Sequence, residues 1–97
     1  MTFDWDPAKA AENRKKHGLS FEKAITAFDD PYALIAPDPE HSTQTEVREW
    51  LIGKSDGDVV VVVFTVRQPD NVYRIISARN ATRDERRSYE ESKGIPI

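Results

Sequence analysis

An α+β fold is predicted: a helix pair at the N-terminal end, an antiparallel meander sheet and a C-terminal helix. Three observations carry this. Asp6-Pro7 and Gly18 bracket a stretch with helix-start and helix-stop chemistry. Val59-Val60-Val61-Val62-Val63 is a β-branched run suited to a packed sheet. Thr82, three residues before Glu85, has the spacing of a capping box just beyond the last extended segment. A chain of 97 residues holds a single domain, residues 1–97.

Phe3-Asp4-Trp5 reads as a short strand or anchoring segment. The first helix runs from Pro7 to about His17, with Ala8, Ala10 and Ala11 as its small-residue face and Lys15, Lys16 and His17 near the negative end of its dipole. Ser20 caps a second, short helix over 21–28, where Phe21, Ala24, Ile25 and Phe28 recur at helical spacing, and Asp29-Asp30-Pro31 ends it. A short strand is expected over 33–36, then a turn-rich loop over 37–42. Strands follow over 45–54, 59–67 and 73–79, the first two joined by a hairpin at Asp56-Gly57. Residues 59–67 are apolar on both faces until their end, which places that strand centrally in the sheet. The last helix runs from Thr82 to about Lys93, and residues 94–97 form a tail.

Without cysteine, disulfides and thiolate metal sites are excluded. Met1 leads into Thr2, Phe3 and Asp4 with no basic-then-apolar leader, and no apolar run approaches the roughly 18 residues a membrane span requires. A cytoplasmic protein with no membrane association is expected. The net charge of −3 argues by itself against nucleic acid, but the charge is unevenly spread. Residues 1–66 hold seven Lys/Arg against twelve Asp/Glu, whereas residues 67–97 hold seven against five. Six of the eight arginines (Arg67, Arg74, Arg79, Arg83, Arg86, Arg87) fall within one stretch of 21 residues. Charges beyond about 10 Å are screened, so a local cationic field can bind phosphate on an acidic protein. Some of these arginines have a plainer role available, Arg86 and Arg87 facing Glu90 and Glu91 along the helix.

The inventory narrows the chemistry. His17 and His41 are far apart, and no HExxH, paired-Asp, nucleophile-elbow or glycine-rich phosphate motif is present, so neither a metal nor a cofactor is expected. One reaction suits what remains. An RNA 2′-hydroxyl attacks the neighbouring phosphate, so the nucleophile comes with the substrate and the protein aligns it, moves protons and stabilises charge. Arginine offers planar donors at fixed charge to the phosphorane-like transition state. It is a poor base, with a pKa above about 12, which leaves Tyr89, His17, Lys54 or a carboxylate for proton transfer. A tight hairpin sets Lys54 beside Val59 and Arg48 near Thr65, and a returning strand sets Arg74 near Arg67. Arg67 and Arg79 then lie about 20 Å apart. Two poles result: Lys54, Arg79, Arg83 and Tyr89 at one, and Glu46, Arg48, Arg67 and Arg74 at the other. A cross-strand charge ladder is an equally open reading of the second. Trp5 and Trp50 can stack on bases, though core or interface packing accounts for them more simply.

The chain resembles the BrnT-type toxins of bacterial type II toxin–antitoxin pairs. The resemblance spans nearly the whole length and rests on Trp5-Asp6-Pro7 with Lys9 and Asn13, Lys16-His17-Gly18 with Ser20-Phe21, Glu46-x-Arg48, Ile52-Gly53, Val62-Val63-Phe64-Thr65-x-Arg67, and Arg74 to Arg79 leading to Glu85-Arg86-Arg87-x-Tyr89. It implies a RelE-like fold and a ribonuclease that arrests translation. It also implies a ribbon-helix-helix antitoxin, paired with the toxin in a heterotetramer that binds operator DNA mainly through the antitoxin. RelE-like enzymes are similar in setting basic residues on the sheet and a tyrosine in the following helix. Carried over by position, this favours Arg79, Arg83, Tyr89 and Lys54 as the catalytic set, with Arg67, Arg48 and Arg74 as second choice. His17 belongs to a motif of the family and is also read as part of a helix C-cap. The rival from another class is a binding module docking an acidic protein through its arginines. A DNA-binding regulator acting alone lacks a helix-turn-helix pattern.

Overall fold

The computed structural model describes residues 1–93; the tail expected over residues 94–97 lies outside them. The elements are β1 (Thr2–Asp4), α1 (Pro7–His17), α2 (Phe21–Ala24) running into a 3₁₀ segment (Ile25–Asp29), β2 (Leu34–Pro37), β3 (Arg48–Ser55), β4 (Asp58–Arg67), β5 (Val72–Asn80) and α3 (Arg83–Ser92). Asp6 caps α1 through Ala8 N–H, Gly18 closes it in the left-handed region, and Thr82 with Glu85 forms the capping box of α3.

The five strands lie in the order β1-β5-β4-β3-β2, which makes the valine-rich β4 central. β2 to β5 are antiparallel neighbours in succession, and the Asp56-Gly57 turn, both residues at positive φ, sets Lys54 opposite Val59. The sheet is mixed, not antiparallel throughout: β1 runs parallel to β5, pairing Phe3 with Tyr73. The alternation of a three-residue strand is too short to reveal its partner, and a parallel partner is remote in sequence by necessity.

Local side-chain hydrogen bonds explain two further departures. The second helix was expected as one unit over 21–28, but the Lys23 carbonyl accepts from both Thr26 Oγ1 (2.7 Å) and Ser55 Oγ (2.7 Å), and the chain tightens to 3₁₀ geometry from Ile25. β3 passes so close here that a Cβ on Gly53 would lie 2.9 Å from the Ala27 carbonyl oxygen, so only glycine fits. β3 was expected from Thr45, but Thr43 and Glu46 close a turn on each other (Thr43 N–H to Glu46 O, 2.8 Å; Glu46 N–H to Thr43 Oγ1, 3.0 Å), and pairing starts at Arg48.

Alternation along the strands builds two cores. On one face Phe21, Leu51, Val60, Val62, Phe64 and Ile75 pack beneath α1 and α2, joined by Phe3, Trp5 and Phe28. Trp5, partly buried, meets Phe21 edge-on at 5.8 Å and packs against this core. On the other face Ile52, Val59, Val61 and Ala81 pack against Tyr89 of α3. Among the described residues that helix packs on the end of the face near the β3–β4 hairpin, away from Arg48, Arg67 and Arg74.

Because β1 pairs with β5 only as far as Arg74, the outer edge of β5 beyond it has no strand partner among the described residues. Asn13 of α1 takes that place. Its Nδ2 donates to the Ala78 carbonyl (2.8 Å) and to the Leu19 carbonyl (3.0 Å), while its Oδ1 accepts from Ala78 N–H (3.1 Å). A buried carboxamide thus imitates a peptide group and fixes α1 to the sheet.

Candidate functional site

The first pole does not form one cavity. Arg79 projects from β5 towards α3 and gives both terminal nitrogens to Glu85 (2.7 and 2.8 Å). The same carboxylate accepts from Thr82 N–H at 2.8 Å. These bonds, the one from Arg79 foremost, hold Glu85 down to about 2 from its ordinary 4.5, and the same pairing raises Arg79. Arg79 therefore ties β5 to the start of α3. A carboxylate with a depressed pKa adds stability above its unfolded value and loses it as the pH falls towards the folded one. Glu85→Gln is accordingly expected to cost about 1–2 kcal/mol at pH 7, allowing for solvent screening of a pair whose arginine is 41% exposed, and nothing near pH 2. Urea midpoints between pH 2 and 7 check this: the wild-type and variant curves converge on acidification.

Tyr89 is 1% exposed, and its hydroxyl donates to Asp30 Oδ2, which also accepts from Lys54 N–H at 2.8 Å. Burial raises Tyr89, and the Asp30 bond raises it further. Burial pushes Asp30 up, but donation from Tyr89 and from the Tyr32 and Lys54 amides outweighs it, leaving Asp30 below its ordinary value. Tyr89 is thus an internal anchor of α3. The Lys54 side chain is exposed beside a separate depression shared with Asp58, Asn80, Arg86 and Glu90, and Arg83 is exposed in the first turn of α3. His17 ends α1, on the face of the sheet opposite α3.

The second pole does converge. Lys9 from α1, Arg48 from the start of β3, Arg67 from the end of β4 and Arg74 from β5 line one cavity of about 130 Å³, together with Asp6, Glu46 and Thr65. Strand register explains the grouping: Arg48, Thr65 and Arg74 stand in one cross-strand row, and Arg67 follows Thr65 on the same face two residues on. Two of the cations are paired, Arg48 Nε with Glu46 Oε1 at 2.9 Å and Arg74 with Asp4 at 3.4 Å. The Arg48–Glu46 contact is local, between residues two apart, whereas Asp4 and Arg74 are register partners on β1 and β5 and form a cross-strand charge pair. Among the described residues Arg67 and Lys9 make no ion pair. The cavity is thus lined by four cations and two carboxylates, with a third carboxylate, Asp4, paired to Arg74; the fixed charge and planar donors of guanidinium are the chemistry a phosphate would require.

Lys9 is the member that site reasoning from sequence passed over. Its signal was present: a lysine in the first turn of a helix opposes the dipole, which makes it costly unless an anion is nearby.

A larger groove of about 570 Å³ lies between α3, the β2 side of the sheet and the loop after β2. Its floor holds Trp50, Val61, Val63 and Leu34, and its rim Asp38, Glu40, Asp84 and Glu85 with Arg79. Asp38, Glu40 and His41 bring potential metal-ligating atoms within 4.8 Å of one another, and His41 Nδ1 is 2.8 Å from Asp38 Oδ2. This trio stands on the groove's rim, apart from the cationic cavity. No described helix is long and apolar enough to cross a membrane.

No curated protein matches the chain. A family model does. Over residues 5–85, a span that takes in Lys9, Arg48, Arg67 and Arg74, the chain matches the family described as "Ribonuclease toxin, BrnT, of type II toxin-antitoxin system", and it therefore belongs to that family.

Proposed function

We propose that this ribonuclease toxin is an endoribonuclease that cleaves RNA without a metal, and that the scissile phosphate sits in the cavity of Lys9, Arg48, Arg67 and Arg74. The observation that carries the reading is the convergence of these four cations, from four separate elements, on one small cavity. Four segments of the family resemblance supply them: Trp5-Asp6-Pro7 with Lys9, Glu46-x-Arg48, the Val62–Arg67 segment and the one beginning at Arg74. The cavity is preferred to the Arg79 end because Arg79 is committed to Glu85 and Tyr89 faces inward.

In this mechanism the ribose 2′-oxygen forms a bond to phosphorus and the bond to the 5′-oxygen breaks, giving a 2′,3′-cyclic phosphate and a 5′-hydroxyl. The guanidinium groups neutralise the charge that grows on the non-bridging oxygens, an effect worth about 2.7–4 kcal/mol per well-placed donor. Of the groups considered for proton transfer, a carboxylate is the one lining this cavity, and Glu46 is assigned to accept the 2′-hydroxyl proton. The leaving 5′-oxygen takes its proton from Lys9 or solvent. The protein acts in the cytoplasm on a RelE-like scaffold. A ribbon-helix-helix antitoxin holds it in a heterotetramer that binds operator DNA mainly through the antitoxin.

Purified toxin in EDTA is expected to cleave RNA and leave cyclic phosphate and 5′-hydroxyl ends; 5′-phosphate ends would exclude 2′-oxygen attack. Tyr89→Phe is expected to lose about 1–2 kcal/mol of stability, since Asp30 is left short of a donor, and to keep its cleavage rate. Urea titration beside an RNA assay checks both, and a stable but inactive Tyr89→Phe protein returns the tyrosine to the chemistry.

A further inference from the structure

We infer that the acid-rimmed apolar groove beside α3 receives an apolar, basic segment of the cognate antitoxin, which closes the cationic cavity from the side. That the groove binds antitoxin rests on membership of a toxin–antitoxin family; that binding there blocks cleavage rests also on the proposed assignment of the cavity.

The floor is unusual for an exposed surface. Leu34, Trp50 and Val63 are only half-buried, on a surface continuous with the buried Ile52 and Val61. An apolar patch rimmed by charge is the usual form of a protein-docking surface, and a tryptophan in such a patch is a common energetic anchor.

Charge selects the occupant. Glu85 is neutralised by Arg79 and Asp38 is bonded to His41, but the exposed Glu40 and Asp84 leave the rim negative. Such a rim repels the phosphates of RNA and attracts lysine and arginine. The two halves of this sheet face thus have opposite preferences, the basic end for a polyanion and the acidic end for a cationic peptide.

Position supplies the consequence. On β3 the same-face sequence is Arg48, Trp50, Ile52; on β4 it is Val61, Val63, Thr65, Arg67. One same-face step, about 7 Å, separates the last groove residues from the first cavity residues. A segment lying on Trp50 and Val63 therefore ends against Arg48, and neutralisation follows from blocked access.

The test uses the full-length toxin and its full-length cognate antitoxin. The double variant Glu40→Lys/Asp84→Lys reverses two exposed rim charges, and Ser77→Phe fills the floor from the middle of β5. The double variant is expected to bind antitoxin at least tenfold more weakly at low salt, with a flattened salt dependence. Ser77→Phe should weaken binding at every salt concentration. Both should cleave RNA as the wild type does and escape neutralisation. Wild-type antitoxin affinity in both variants overturns the inference. So does unchanged antitoxin binding with altered RNA affinity or cleavage position, which makes the groove a nucleotide subsite. Should the wild-type toxin leave RNA intact, the nuclease mechanism fails while the antitoxin measurement still decides the groove.

Discussion

Arg67→Ala is expected to lower RNA cleavage by on the order of 10²–10³-fold while changing stability by no more than about 0.5 kcal/mol. The two effects separate because Arg67 is exposed at the end of β4 and makes no ion pair among the described residues, so its removal unfolds nothing and takes away one unneutralised cation of the cavity. Arg67→Lys should recover part of the loss, since it restores the charge but not the planar fork of donors. Arg79→Ala is the informative companion. It breaks the bond between β5 and α3, so it should lower the urea midpoint and spare the cleavage rate per folded molecule. The reverse pattern, a silent Arg67→Ala and a folded but inactive Arg79→Ala, would move the active site to the other end of the sheet.

Asn13→Ala is expected to give the largest loss of stability, about 3 kcal/mol. The residue is 7% exposed, and the substitution leaves the Ala78 N–H, the Ala78 carbonyl and the Leu19 carbonyl without their partner. Each buried group so deprived costs about 1–3 kcal/mol, less whatever water entering the edge of β5 recovers. For a domain of this size that is a large share of about 5–15 kcal/mol. Asn13→Asp distinguishes hydrogen bonding from packing, because it keeps the shape and loses both amide donors. Urea denaturation reads the stability, and hydrogen exchange at the Ala78 amide shows whether the edge of β5 opens. Exchange no faster than in the wild type would show that another group covers the edge.

Much of the architecture was legible in local chemistry. Asp6-Pro7 and Gly18 bound α1, Thr82 and Glu85 start α3, and the Asp56-Gly57 hairpin fixes the register that pairs Lys54 with Val59 and Arg48 with Thr65. Each depends on residues close in sequence, and backbone geometry leaves few alternatives. The boundaries of α2 and β3 were less legible, because Thr26, Ser55 and Thr43 can bond the backbone in several ways and tertiary position selects one. The candidate site was half legible. The grouping of Arg48, Arg67 and Arg74 followed from strand register, but Lys9 reaches them only because α1 and β1 lie beside β5.

By itself the sequence determined that this is an α+β chain with a two-sided apolar central strand, arginines gathered late in the chain and the motifs of a BrnT toxin. Those properties follow from residue type and short-range spacing. Only the tertiary structure decided which cations are available. Arg79 and Arg67 look alike in the sequence, yet one meets a carboxylate across a helix cap and the other meets none among the described residues. A salt bridge depends on side chains brought within about 4 Å by the path of the chain, and that distance has no counterpart in residue order.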